Sequence, residues 1–234
     1  MKHSLNFIVR VATPDDLKYV NEITDAINFS AKKRGTGIDD RPYDYVREKM
    51  NEGLAIIAIA PGNRQWAGFC CVEVWRNKKF LANTGLIISS EFLGLGLAGL
   101  IKIELFNLCR QRFPDSNIFS LTANTAVIHL NKGLGFKEVP YHELLSNPQF
   151  VSGCTSWVDY VGMMTNGHGH LSYVAMVFDP AEEKVTAHTF DFRRYLVRKT
   201  KSVLNKKVLL PGIREFRHDQ QFKTSGLPVR KGMR

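Results

Sequence analysis

The chain has 234 residues, of which 44% are hydrophobic and 23% charged, as expected of an ordinary globular protein with room for one large domain. No run of residues has the length and apolarity of a membrane span, and the N-terminus lacks the apolar core of a secretory signal. The four cysteines show no CxxC pair and no metal-ligand spacing; they are Cys70, Cys71, Cys109 and Cys154. We therefore expect a cytoplasmic protein with reduced thiols, no metal and no membrane contact.

The net charge of +10 is concentrated near the end of the chain. Residues 181–234 contain 14 Lys and Arg against 5 Asp and Glu, a net charge of +9, whereas residues 1–180 contain 18 against 17, a net charge of +1. A basic domain would indicate nucleic-acid binding, but the main part of this chain is nearly neutral. We predict a domain over residues 1–180 and a basic extension over 181–234, partly helical or disordered. Nucleic-acid binding by the extension is the less favoured of two interpretations, the other being a solvated tail or dimer arm.

The hydrophobic pattern predicts strands and helices over residues 7–180. A strand at 7–12 precedes a helix that has Thr13 as N-cap and Pro14 at its first position. A charged, glycine-punctuated loop is expected at 31–42, and a second helix follows from Tyr43 to Asn51. The further predicted elements are strands at 54–60 and 65–75, a strand ending at Ile88, a helix from Leu97, a strand at 118–122, a short helix at 126–132 and strands at 136–141 and 171–178. Residues 142–170 show no clear pattern.

The most informative stretch begins at Leu86 as an apolar strand, passes through Gly94, Gly96 and Gly99, and continues as a helix. Such a turn lets the backbone approach a ligand, and the first turn of the helix offers unpaired N–H groups and a partial positive charge. A phosphate cradle is one interpretation. The other is that the glycines only permit close packing of helix on strand, and this stretch alone does not separate the two.

The order of elements and two motifs resemble the GNAT superfamily of acetyl-CoA-dependent N-acyltransferases. The family's Arg/Gln-x-x-Gly-x-Gly/Ala motif after a strand is matched by residues 93–98. Its Asn-x-x-Ala motif with a closing Gly-Phe is matched by Asn124, Val127 and Gly135-Phe136. The resemblance covers roughly residues 7–180. It implies a mixed α/β (α+β) GNAT fold, in which helices flank a central, twisted, mostly antiparallel sheet.

The resemblance also implies that acetyl-CoA is the co-substrate. The coenzyme-binding residues that it implies are Ile88, Ser89, Ser90, Leu93, Gly94, Leu95, Gly96, Leu97, Ala98, Gly99, Asn124 and Asn131. Leu93 stands where the family has Arg or Gln, so the pyrophosphate would be held mainly by backbone N–H groups. Asn131 stands where many members have a tyrosine thought to protonate the leaving thiolate, and asparagine has no titrating proton. Another group then assists the thiolate, or it leaves unassisted.

The implied reaction is direct attack of a primary amine on the acetyl thioester. Family geometry assigns the oxyanion to the main-chain N–H of Ile88. Glu73 and Glu91 are candidate bases, with His129 as a weaker one. The tyrosines that remain open as replacements for the missing one are Tyr141, Tyr160 and Tyr173. The pair His168 and His170 lacks the further ligands that a zinc site requires.

A narrower resemblance, to a bacterial GNAT subgroup that acetylates amino acids in arginine biosynthesis, depends on residues 33–38 with Arg41 and on residues 153–156. It implies that Lys33, Arg34 and Arg41 bind the carboxylates of an acidic amino acid such as glutamate. A solvated basic loop is the alternative. The sequence also leaves open a non-catalytic acyl-CoA sensor or adaptor that acts through its basic tail. The expected partner is a small-molecule amine, and a homodimer is left open.

Overall fold

The computed structural model describes residues 7–34, 41–62, 64–153 and 173–183. Within these ranges the strands are β1 (Ile8–Val11), β2 (Ala55–Ile59), β3 (Trp66–Val74), β4 (Phe80–Ile88), β5 (Asn117–Thr122), β6 (Lys137–Glu138) and β7 (Val174–Phe178). The helices are α1 (Val20–Arg34), α2 (Tyr43–Asn51), α3 (Leu97–Arg112), α4 (Thr125–Gly133), α5 (Tyr141–Ser146), α6 (Pro148–Gly153) and α7 (Pro180–Glu183). Short 3₁₀ helices at Pro14–Tyr19 and Ser90–Phe92 precede α1 and α3.

The described strands form one sheet in the order β1-β2-β3-β4-β5-β7-β6, and every neighbouring pair is antiparallel except β4 and β5. This mixed, mostly antiparallel sheet confirms the predicted fold class. The parallel pair extends only from Phe80–Asn117 to Ala82–Phe119. β4 continues to Ile88 and β5 to Thr122 with no further pairing between these two strands. The strands therefore separate towards their carboxyl ends.

Helices cover both faces of the sheet. α3 packs on one face over a cluster that includes Leu81, Ile101 and Ile118, and α4 adds the partly buried Ile128 to the same cluster. α1 and α2 pack on the other face. Cys70 and Cys71 are adjacent in β3 and belong to these two different clusters, as the alternation of strand side chains predicts. A third, aromatic cluster lies where α5 and α6 meet β4, β5 and β7.

The beginning of the first helix follows the sequence prediction. The backbone N–H of Thr13 donates to the Asp16 carboxylate at 2.8 Å, and Pro14 opens the 3₁₀ helix that leads into α1. Arg10 donates two hydrogen bonds to the same carboxylate, at 2.6 and 3.0 Å. These charged donors hold the pKa of Asp16 below its usual value, although burial acts in the opposite direction.

Two predictions about local structure are wrong. Residues 31–34 belong to α1 and not to a loop, because Ala31-Lys32-Lys33-Arg34 are all strong helix formers. The strand expected at 136–141 is reduced to β6, since Pro140 and the N-terminus of α5 follow directly. Part of the unassigned stretch forms α5 and α6. The predictions for Cys154, Tyr160, His168 and His170 and for most of the basic extension lie outside the described residues. None of the described helices is long and apolar enough to cross a membrane.

Candidate active site

The glycine turn before α3 owes its glycines to backbone conformation. Gly94 has φ +77° and Gly96 has φ +76°, both in the left-handed region that side chains with a Cβ rarely adopt. A Cβ added at either position meets no atom within 4 Å. Close packing of helix on strand therefore does not explain these two residues. The left-handed backbone and the open space above it favour the other interpretation, a cradle for a ligand.

The N-terminus of α3 is open to an anion. Its N-cap is Gly96, which has no side chain to satisfy the first N–H groups, and the first turn contains no acidic residue. The Gly99 N–H bends back to the Gly96 carbonyl at 3.1 Å, but the N–H groups before it have no partner within the helix. Leu93 lies beside the turn and is 63% exposed. Its side chain is apolar, so it offers an anion neither charge nor a hydrogen bond. An anion here would be held by backbone N–H groups and the helix dipole.

The end of β4 presents one backbone edge to the gap left by β5. Ser89 N donates to Ala67 O at 3.0 Å, so the hydrogen bonds at this point link residues 89 and 67. Because bonded and non-bonded pairs alternate along antiparallel strands, the N–H of Ile88 points away from β3 and towards β5. β5 has already diverged at this level. The predicted oxyanion donor therefore faces the gap.

A β-bulge interrupts the same strand. The register steps from Phe69–Ile87 to Cys71–Thr84, so Gly85 and Leu86 together lie opposite Cys70. Gly85 has φ +69°, the left-handed conformation of the first residue in a G1 bulge. The bulge bends β4 beyond its last pair with β5.

The N-terminus of α4 lies at the end of β5, with Asn124 as its N-cap. The Asn124 Oδ1 accepts from Ala126 N at 2.9 Å and from Val127 N at 3.3 Å, so this oxygen caps the N-terminus of α4. Asn131 on the same helix is fully buried, and its Nδ2 donates to Ser120 Oγ at 3.0 Å. Asn131 thus points into the interior in this structure and not towards the exposed mouth of the gap.

The structure brings most of the predicted coenzyme residues together. β4 and β5 are parallel, so their carboxyl ends meet at the same edge of the sheet, where α3 and α4 both begin. Crevices at such edges, between strands that separate, are the usual ligand sites of α/β sheets. Residues 88–99 and Asn124 all lie at this edge. The exposed Glu91 is part of the 3₁₀ helix beside it.

A second polar cluster lies on the opposite face of the sheet and is centred on Arg41. The Arg41 backbone is fixed by the Asn28 amide, which accepts from Arg41 N at 2.9 Å and donates to Arg41 O at 3.0 Å. The guanidinium donates to the Thr84 hydroxyl, and its carbon lies 4.8 Å from the centre of the Tyr45 ring. Nη1 of Arg41 is buried without a hydrogen-bond partner in the described structure. The Arg41 guanidinium is therefore fixed by Thr84 and Tyr45, while its Nη1 can still donate a hydrogen bond.

Tyr45 connects this cluster to Glu73. The Tyr45 hydroxyl donates to Glu73 Oε2 at 2.7 Å, and Lys49 Nζ lies 3.4 Å from the same oxygen. Burial raises the pKa of Tyr45 far above its ordinary value, so the phenol stays protonated at neutral pH. Burial also raises the pKa of the neighbouring Cys71 thiol to about 11, so this cysteine is not an activated nucleophile.

Other predicted residues are not brought together. Glu73 pairs with Ala82 and Ile88 pairs with Gly68, so five residues of β3, roughly 17 Å, separate the two levels. Lys33 is exposed near the end of α1, and His129 is exposed on α4. Arg34 lies in α1, but the position of its side chain is outside the described part of the structure.

Two of the candidate tyrosines lie close to each other and away from the glycine turn. The Tyr141 hydroxyl donates to the Tyr173 carbonyl, next to α5 and β7. Burial raises the pKa of Tyr141.

Asn28, Tyr45, Lys49 and Thr84 were missed by sequence reasoning. The one available signal was Gly85, because a glycine within an apolar strand indicates a bulge. Tyr45 and its partner Glu73 are 28 residues apart in the sequence. Thr84 and its partner Arg41 are 43 residues apart. No local pattern predicts contacts at such separations.

Comparison with known proteins identifies the fold. No protein-family profile and no curated protein matches the sequence. Rv2747 of Mycobacterium tuberculosis, solved with CoA, superposes with a TM-score of 0.53 at 14% identity, over 74% of this chain and 98% of that one. The yncA protein of Salmonella typhimurium, solved with acetyl-CoA, has a TM-score of 0.52 at 18% identity, over 75% of this chain and 94% of that one.

A third likeness is to the N-acetylglutamate synthase of Neisseria gonorrhoeae, solved with coenzyme A and N-acetyl-glutamate. Its TM-score is 0.51 at 16% identity, over 76% of this chain, and the match spans only 36% of that larger protein. At such identities the likeness establishes the architecture. The chain has the fold of the GNAT acetyltransferases.

Proposed function

We propose that this protein is an acetyl-CoA-dependent N-acetyltransferase that acts on the primary amine of a small molecule. The observation that carries the proposal is the juxtaposition at the end of β4. The N–H of Ile88 faces the gap between β4 and β5, and the left-handed glycine turn and uncapped N-terminus of α3 follow within ten residues. GNAT-fold structures solved with CoA or acetyl-CoA support this reading.

The coenzyme would be held mainly through backbone. Its pyrophosphate would bind at the turn from Gly94 to Gly99, where a Cβ added at Gly94 or Gly96 meets no atom within 4 Å. Leu93 adds no charge to this site, so the helix dipole and N–H groups supply the attraction. The pantetheine arm would lie along the unpaired edge of β4, in the gap that β5 leaves.

The chemistry follows from that placement. The amine nitrogen attacks the thioester carbon, the C–N bond forms, and the oxyanion that develops is stabilised by the N–H of Ile88. The C–S bond then breaks and its electron pair goes to sulfur. The amine proton goes to a base. Glu91 remains a prediction for this role, whereas Glu73, roughly 17 Å along β3 from the level of Ile88, would need a chain of water molecules to receive the proton. Holding both substrates in one gap supplies much of the acceleration.

The Arg41 cluster supports an acceptor that carries a carboxylate, such as glutamate or another acidic amino acid. The guanidinium lies over the β4 bulge, because a Cβ placed on Gly85 would be 3.5 Å from Arg41 Nη1. That nitrogen is buried and unpaired in the described structure, and a carboxylate is its natural partner. Lys33 and Arg34, at the end of α1, remain candidates for a second carboxylate.

The test is release of free thiol from acetyl-CoA in the presence of a panel of amines that includes all the amino acids, together with calorimetry of acetyl-CoA binding. We expect binding and acceptor-dependent thiol release, greatest for acidic amino acids. Absence of binding would refute the proposal. Binding without turnover across the panel would favour the alternative, a sensor or adaptor.

A further inference from the structure

Gly68 on β3 lies directly opposite Ile88, the residue whose N–H faces the gap. A Cβ added to Gly68 would lie 2.7 Å from Cδ1 of Ile101 on α3, 2.8 Å from Cδ1 of Ile88 and 3.2 Å from the carbonyl oxygen of Ile87. The first two distances are shorter than van der Waals contact allows, and the third is tight. The sheet and the helix therefore meet at Gly68 more closely than a side chain would permit.

Packing, and not backbone conformation, accounts for Gly68. Its φ lies outside the left-handed region that Gly94 and Gly96 occupy, so a residue with a Cβ can adopt the same backbone. What excludes a Cβ is the close approach of Ile101 and of β4. Close packing of helix on strand, which does not explain the two glycines of the turn, explains this one.

The tightest backbone contact of Gly68 is with the peptide unit that carries the Ile88 N–H. The Ile87 carbonyl and the Ile88 N–H belong to the same peptide unit, which is planar and rigid. Its oxygen points towards β3 and its N–H points away towards β5, as the alternation of bonded pairs requires. A group that pushes the Ile87 oxygen therefore re-aims the Ile88 N–H.

Ile101 connects the same contact to α3. Its side chain is fully buried and lies about one helical turn after Leu97, the first residue of α3. Its Cδ1 and that of Ile88 both border the space that Gly68 leaves. The first turn of α3 and the end of β4 thus take their spacing from one glycine.

We propose that Gly68 is a positioning residue, which by its lack of a Cβ holds the Ile87–Ile88 peptide unit so that the N–H points at the thioester oxygen. This rests on the proposed function. Gly68 itself touches neither substrate and acts through Ile88. The donor must lie about 2.7–3.1 Å from the oxyanion that develops, so a displacement of a few tenths of an ångström weakens the hydrogen bond.

The experiment reads the Ile88 amide proton directly, by NMR of the ¹⁵N-labelled full chain with acetyl-CoA and with CoA. The two ligands differ only in the acetyl group, so a hydrogen bond to its oxygen shifts the Ile88 amide proton downfield with acetyl-CoA alone. We expect this difference in the native protein, and we expect Gly68→Ala to remove at least about half of it. Equal shifts with both ligands in the native protein, or an undiminished difference in Gly68→Ala, would overturn the proposal. Failure of both ligands to bind the native protein would instead refute the proposed function.

Turnover gives a second measurement on the same variant. With L-glutamate as the acceptor, Gly68→Ala should lower kcat about 10-fold and change coenzyme A affinity less than about 2-fold, because the pyrophosphate is held at the glycine turn. Loss of affinity with kcat unchanged would contradict a role in aiming the Ile88 N–H.

Gly153→Ala is the matched control for loosened packing. Gly153 also has a φ outside the left-handed region, and a Cβ there would lie 2.6 Å from Cε3 of Trp75, in the aromatic cluster at the other end of β4. Both glycine variants should lower the Tm, by about 2–8 °C. Only Gly68→Ala should reduce the acetyl-CoA difference at Ile88. An equal reduction in Gly153→Ala would show a general loss of rigidity and contradict the proposal.

A double variant separates the helix contact from the peptide contact and relieves the overpacking that could keep Gly68→Ala from folding. Ile101→Val removes Cδ1, the nearest of the three atoms, but leaves the Ile87 oxygen in place. Combined with Gly68→Ala, it should recover most of the lost Tm, while the Ile88 difference stays reduced. Full recovery of the Ile88 difference together with the Tm would place the effect in helix packing and would overturn the proposal. Ile101→Val alone is the reference.

Discussion

The two faces of the candidate site offer different chemical groups to a ligand. On the α3 side, the glycine turn offers backbone N–H groups and the helix N-terminus, and the neighbouring Leu93 side chain is apolar and exposed. On the α1–α2 side, the cluster of Arg41, Tyr45 and Glu73 consists of charged and hydrogen-bonding side chains joined across the fold. A backbone site accepts side-chain changes unless they alter its conformation or charge. A side-chain cluster depends on each member.

The largest effect is expected on the backbone side, from Gly96→Glu. The substitution forces a residue with a Cβ into φ +76° and places a negative charge at the helix N-terminus. We expect coenzyme A affinity to fall at least about 100-fold by calorimetry. The control is Gly62→Glu, in the turn between β2 and β3, which has φ +93° and the same open space. Equal losses in both variants would mean that strain, and not a coenzyme site, explains the result.

A smaller and more selective effect is expected on the side-chain face, from Arg41→Met. With L-glutamate as the probe, kcat/KM should fall about 100-fold, equivalent to ~3 kcal/mol for a lost bond to a charged group. Coenzyme A affinity should stay the same. Arg47→Met on α2 is the control, because Arg47 is exposed and forms an ion pair with Asp44 on the same helix. If Arg41→Met weakened coenzyme binding as much as turnover, the separation of the two faces would be wrong.

Tyr45→Phe tests whether the side-chain cluster also stabilises the fold. The change removes the donor to the Glu73 carboxylate, and we expect the free energy of unfolding to fall by about 1–2 kcal/mol. Denaturant unfolding measures this loss. Tyr43→Phe removes a similar bond to Asp25 at an exposed position and should change stability by less than about 0.5 kcal/mol. The same loss in both variants would contradict the structural role given to Tyr45.

The smallest effect should be a gain, from Leu93→Arg. The substitution adds the cation that the GNAT motif can have at this position. The cation would lie beside a proposed site whose other donors are backbone N–H groups. We expect coenzyme A affinity to rise about 3- to 10-fold at low salt, with the gain shrinking as salt screens the added charge. Leu93→Gln adds a donor without charge and should give a smaller gain that does not depend on salt. A loss of affinity for both would place the pyrophosphate elsewhere.

The parts of the molecule that the sequence predicts well are local. The spacing of Gly94 and Gly96 after an apolar strand indicated the turn, because the need for positive φ is a property of single residues. Similarly short patterns give the strands β2 and β3, the opposite faces of Cys70 and Cys71, and the position of Asn124 before the helix α4.

The parts that could not be predicted depend on long-range contacts. Arg41 was a candidate because it is basic. Its hydrogen bond to Thr84, however, links the segment just before α2 to β4, and the two residues are 43 positions apart. Glu73 was a candidate base, but no local pattern shows that it lies beside Tyr45 and Lys49 of α2. The burial of Asn131 against Ser120 depends on how α4 packs on β5, which spacing along the chain does not encode.

The most direct test of the central claim is to locate bound coenzyme A on the backbone by amide NMR or hydrogen exchange. The account predicts that the largest changes on adding coenzyme A fall on the N–H groups of Ile88 and of residues 94–99, with smaller changes at the N-terminus of α4. Arg41 and Tyr45, on the opposite face, should respond mainly when an acceptor is added. Binding that leaves the amides of Ile88 and the glycine turn unchanged would contradict a coenzyme site held by backbone between β4 and β5.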